Sequence, residues 1–327
     1  MSTRNRSCGA VDPDLRILLA AALVLTAACR GHAVSLDVDD TPQLVFDGSW
    51  GSGTKFGGPW GHDGLPVETE NFMIFSGTAS QSARQFTADI AEESLEELME
   101  WLGATHEDFR FLPSYAQPKI HILALGSQNF NNNSGFAYRD GLVTVSREHP
   151  NYASFGFTLD GYKRLIKHET MHVVEFLLIS DPRYQQSSDV WFREGFANFV
   201  SGPRTNAIAN SVTSRQQAEA WREAQRGVEG GGNPISIHRW QDFPQEVLEP
   251  VNRSIFYYPF FELAVAFLLD PDGWGKTAQD VRGLYEMEGN GLSFAHAFEQ
   301  NLGMRLDDFE ENYWNLVLEY LDKKARQ

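Results

Sequence analysis

The order of structural signals along the chain predicts an α+β domain: a small N-terminal sheet packed on helices, followed by a helical C-terminal part. Two observations carry this. Between residues 67 and 145 short runs rich in Val, Ile, Leu and Phe are interrupted by one amphipathic helix, whereas from residue 160 onwards apolar residues recur at helical spacing. Three segments follow from composition: 1–28 as a signal peptide, 29–66 as a Gly-rich tether, and 67–327 as the folded domain.

At the N-terminus, Arg4, Arg6 and Arg16 precede a largely apolar run, 17–28, too short to span a bilayer as a stable helix. The run ends Leu25-Thr26-Ala27-Ala28-Cys29, which resembles the bacterial lipobox. That resemblance implies an exported lipoprotein, membrane-anchored through a lipidated Cys29 and facing the periplasm or the outside. The alternative is an ordinary signal peptide cut nearby. With Cys29 lipidated and Cys8 removed, no thiol remains for a disulfide, and about 260 residues bury an adequate core without one. Residues 30–66 are rich in Gly, Asp, Ser and Trp, a composition suited to a tether.

Residues 67–75 read as a strand, and 83–101 as an amphipathic helix with Phe86, Ile90, Leu95, Leu98 and Met99 facing inwards. Further short strands are expected over 120–125 and 142–145. Residues 162–179 hold no Gly or Pro, and Tyr162, Leu165, Ile166, Val173, Phe176 and Leu177 form an apolar stripe, with Asp160 as N-cap and Asp181-Pro182 as the stop. A second short helix begins after Asp189 and ends at Gly202-Pro203. Residues 206–233 are polar, with a helix around 216–226, and read as a lid or a solvated insertion.

The first of these later helices carries His168-Glu169-Thr170-Met171-His172. Residues i and i+4 share a helical face, so both imidazoles can reach one zinc ion while Glu169 stands beside them as a base. Residue types fixed at these three positions arise by chance in roughly one chain of this length in a hundred. An ordinary amphipathic helix with two histidines is therefore the weaker reading.

A catalytic zinc takes three protein ligands and an open position. The metzincin pattern would need Gly at 175 and His at 178, where this chain has Glu175 and Leu178. The second helix supplies Trp191-Phe192-Arg193-Glu194-Gly195-Phe196-Ala197, with Glu194 among bulky apolar residues and Gly195 allowing another backbone to approach. Glu194 reads as a buried ligand.

The pair of motifs, His168-Glu169-Thr170-Met171-His172 and Trp191-Phe192-Arg193-Glu194-Gly195-Phe196-Ala197, resembles the gluzincin peptidases, most closely the bacterial peptidase MA-like family. The likeness extends more weakly to 68–76, 119–125 and 293–321. It implies a zincin-like metallopeptidase fold, His168, His172 and Glu194 as zinc ligands, and Glu169 as the catalytic base. The longer interval between His172 and Glu194 leaves Glu175 as a competing ligand. Where many gluzincins carry an acid that orients a zinc histidine, this chain has Asn198.

The resemblance further implies hydrolysis of peptide bonds, with Glu169 taking a proton from water and passing it to the leaving amine. Tyr257 and Tyr258, which precede an apolar helix over 260–269, are candidates for stabilising the oxyanion. By analogy with zincins, 142–146 is expected to be the sheet edge that pairs with extended substrate. Endopeptidase is preferred to aminopeptidase, because the Gly-x-Met-x-Asn element is missing upstream of His168.

A net charge of −17 makes nucleic acid an unsuitable partner. A peptide or protein substrate and the membrane remain. Two alternatives stay open: a zinc-containing peptide-binding surface protein with little turnover, and a zinc hydrolase of a non-peptide amide or ester.

Overall fold

In the computed structural model, residues 66–76, 80–111, 119–125, 135–138, 141–145, 159–179, 189–202, 212, 214–226, 233–236 and 257–327 are described. They belong to one unit, Phe46–Gln327. The expected signal peptide, Cys29 and the tether lie outside them, as does most of 203–233 apart from its helix.

The domain is α+β and mostly helical. Its strands are β1 (Val67–Glu68), β2 (Phe72–Ser76), β3 (Ile120–Leu125), β4 (Gly135–Tyr138) and β5 (Gly141–Val145). Its helices are α1 (Gln81–Leu102), α2 (Leu159–Ile179), α3 (Val190–Val200), α4 (Arg215–Arg226), α5 (Tyr258–Leu269), α6 (Ala278–Gly289), α7 (Phe294–Leu302) and α8 (Leu306–Lys324). Among the described residues no helix is long and apolar enough to cross a membrane.

The five strands form one sheet in the order β1-β2-β3-β5-β4. β2, β3 and β5 run parallel, while β1 and β4 are antiparallel to their neighbours at the two edges. This corrects two expectations. The single strand over 67–75 is two strands, because the backbone turns at 69–71, where the Thr69 N–H donates to Phe72 O at 3.0 Å. The expected edge, 142–146, is interior: β5 is paired on both sides, and the edge beside it is β4, which the sequence reading missed.

One face of the sheet, with Phe72, Ile74, Ile120, Ile122, Ala124 and Leu142 buried, merges with the helical core. Helix α1 starts at Ser80, whose side chain accepts from Ala83 N, and stops at Gly103 in the left-handed conformation that glycine tolerates best. It packs against α2, with Thr87 and Tyr162 hydroxyls 2.8 Å apart and the Phe86 ring stacked on Tyr162. Helix α2 begins at Leu159, one residue earlier than the expected cap, so Asp160 occupies its first turn.

Helix α5 is buried from Pro259 to Leu268, a run that is apolar except for Glu262. It lies against α3, where a Cβ on Gly195 would stand 2.4 Å from the carbonyl oxygen of Phe261. Behind them Trp191, Phe267, Phe298 and Phe309 form an aromatic cluster that ties α3 and α5 to α7 and α8.

Candidate metal centre

Helices α2 and α3 bring His168, His172 and Glu194 together. The two Nε2 atoms are 3.2 Å apart, His168 Nε2 is 3.4 Å from Glu194 Oε2, and His172 Nε2 is 3.6 Å from Glu194 Oε1. One ligating atom from each residue lies within 4.8 Å of the others, so the group is able to hold a metal ion. The side chains are 12–16% exposed, leaving a narrow open side.

The donor set fits a metal on its chemistry. Four donors arranged tetrahedrally at about 2.0–2.1 Å from a zinc ion stand about 3.3 Å from one another, and two imidazoles with one carboxylate are the ligand types of a catalytic site. The two imidazole Nε2 atoms, 3.2 Å apart, match that spacing; His168 and His172 face different oxygens of Glu194, and with a single donor atom from each residue the three lie within 4.8 Å of one another.

The electrostatics favour positive charge at the cluster. Burial alone would raise the Glu194 carboxyl, but His172 and His168 hold it far below its ordinary range. Burial alone would lower the His172 imidazole, yet the carboxylates of Glu194 and Glu175 carry it well above its ordinary value.

Glu169 is buried beside this cluster. Burial pushes its carboxyl up, His168 and His172 offset only part of the rise, and Glu194 adds to it. The edge strand β4 lies directly over it: a Cβ on Gly135 would be 2.7 Å from Glu169 Oε1. A side chain there would require the Glu169 carboxylate or the strand to shift.

Glu175, the competing ligand, faces elsewhere. Its Oε2 lies 3.3 Å from His172 Nδ1, the ring nitrogen away from the cluster, and its Oε1 accepts from Arg193 Nη1. Arg193 Nη2 in turn lies 3.2 Å from both carboxylate oxygens of Glu288 on α6. The carboxylate that meets His172 is thus Glu175, with Asn198 buried further along α3. Burial, only partly countered by Arg193, pushes the Glu288 carboxyl up to about 7.

Tyr257 caps the N-terminus of α5 with its ring buried, and Tyr258 opens the helix half-buried. Both rings pack near Phe261, whose carbonyl abuts Gly195 next to Glu194. Their expected helix is therefore adjacent to the metal-ligand helix. His121 lies buried in β3 with its ring edge-on to Phe75, and burial pulls it down to about 4.

Gly135, Arg193 and Glu288 were not anticipated as part of the site. Tyr138 pairs with Gly141, so only Arg139 and Asp140 connect β4 to β5, a two-residue link short enough for a hairpin. Nothing local connects Glu288 to residues 95 positions earlier.

No protein-family model matches this chain, and no curated protein matches it.

Proposed function

We propose that the protein is a zinc-dependent metallopeptidase of the gluzincin type, most similar to the peptidase MA-like family, acting as an endopeptidase. The observation that carries this is the donor cluster of His168, His172 and Glu194, one donor atom from each within 4.8 Å of the others, with Glu169 buried beside it. The mixed sheet, with an antiparallel edge strand over α2, supports a zincin-like fold.

In this reading His168, His172 and Glu194 would hold the ion, and a zinc ion held there would supply Lewis acidity towards a carbonyl and a bound water acidified towards neutrality. Glu169 removes the proton from the attacking water and delivers it to the leaving amine as the C–N bond breaks. Among the described residues β4 is the edge strand of the sheet beside Glu169, and an extended peptide would add to it as a further strand, which would align its scissile bond with Glu169. Tyr257 or Tyr258 donates to the developing oxyanion. The chain is exported and anchored to a membrane through lipidated Cys29.

The test uses the full-length chain in detergent, with a mixed peptide library and chelator controls. Glu169→Gln is expected to keep its zinc and to lose about 100-fold to 10,000-fold in cleavage rate. Cleavage at the wild-type rate would remove Glu169 as the base. No cleavage by a zinc-loaded wild type would replace peptidase by a peptide-binding protein or a non-peptide hydrolase.

A further inference from the structure

Glu175 lies one turn beyond His172 on α2 and is 1% exposed. A carboxylate so deeply buried must have both oxygens satisfied. One faces His172 Nδ1 at 3.3 Å, and the other accepts from Arg193, itself tied to Glu288 through contacts of 3.2 Å. Three helices, α2, α3 and α6, thus meet behind a single imidazole.

The two nitrogens of an imidazole leave the ring in different directions. A carboxylate at Nδ1 favours the proton there, which turns the lone pair of Nε2 outwards. That Nε2 is the atom 3.2 Å from His168 Nε2 and 3.6 Å from Glu194. A carboxylate acceptor also makes the ring a stronger donor than a neutral amide would. The acid that this arrangement needs is absent one turn after Glu194, where Asn198 stands.

The geometry points to Glu175 as a positioning residue of the metal centre: Oε2 sets the tautomer and ring angle of His172 through Nδ1, while Arg193, anchored by Glu288, keeps the carboxylate turned away from the ligand cluster. This rests on the metal-centre reading above. It explains why a glutamate so near His172 is not itself a ligand.

The experiment compares the full-length wild type with Glu175→Gln and Glu175→Met. Both variants remove the charge facing Arg193 at similar volume, and only Gln keeps an oxygen for the Nδ1–H. Zinc affinity is measured by chelator competition, the visible spectrum is taken with cobalt in place of zinc, and the melting temperature is taken on metal-free protein. Glu175→Met is expected to weaken zinc binding by about 10-fold to 100-fold and to alter the cobalt bands. Glu175→Gln should stay nearer the wild type in both, although the two variants melt alike without metal. Equal affinities in Gln and Met, at or below the wild-type level, overturn the positioning role and leave the metal centre standing. A wild type that binds no zinc overturns both readings. Where Glu175→Met does not fold, the double variant Glu175→Met, Arg193→Met removes the unpaired guanidinium; wild-type zinc affinity in it overturns the inference.

Discussion

Glu169 is held from above by a residue with no side chain. Because a Cβ on Gly135 would sit 2.7 Å from Oε1 and 2.8 Å from Cγ of Glu169, a methyl there forces the carboxylate or the strand to move. Gly135→Ala is therefore expected to lower kcat by up to about 100-fold, the cost of displacing a base by about an ångström. Zinc content is expected to change little, since the atoms nearest to the added methyl are those of the Glu169 side chain. Measuring rate and bound zinc on the same sample separates the two effects; an unchanged rate would mean that the strand does not set the position of the base. The histidine pair and Glu169 were legible from spacing alone, because i and i+4 on a helix fix a shared face. Gly135 was not, because its role exists only once a strand is laid across α2.

At the level of elements, the centre depends on how closely α3 approaches α5. Gly195 follows Glu194 directly, and a Cβ there would lie 2.4 Å from Phe261 O and 2.6 Å from the carbonyl carbon, both backbone atoms that cannot rotate aside. Gly195→Ala must push the helices apart. We expect a loss of about 1–3 kcal/mol in stability, in the range of overpacked cores, read as a lower melting temperature of the metal-free protein. An unchanged melting temperature would show that α5 shifts without cost. Helices α2 and α3 were readable from apolar periodicity and stop signals. Strand β4 was missed because Gly135–Tyr138 is four residues long and begins with glycine, so its extended state comes from pairing with β5 rather than from local preference. The same missing neighbour made β5 look like an edge.

For the whole molecule, the folded domain and the N-terminal segment raise separate questions. The run before Cys29 and the small residues Ala27 and Ala28 resemble a lipobox, which makes Cys29 the proposed attachment point for lipid. Cys29→Ser is expected to abolish incorporation of labelled fatty acid and to leave the protein in the membrane-free fraction after signal cleavage. Retention of label by the variant would exclude Cys29 as the attachment point. A strongly acidic surface, with net charge −17, would favour cationic over acidic peptides as a general bias that weakens with salt.

By itself the sequence determined the α+β order, the candidate metal-binding residues on two helices, and the position of Glu169 next to the first histidine, all of which follow from local periodicity and spacing. Tertiary structure decided what touches them. Glu175 is three residues from His172, and whether it turned towards the ligands or away from them depended on Arg193 and on Glu288, contributed by a helix more than a hundred residues further on. Which strand formed the edge over Glu169 likewise depended on pairing between segments. Local sequence sets the conformation of a turn or a helix; the partners of a buried charge and the neighbours of a strand are set by how distant segments pack.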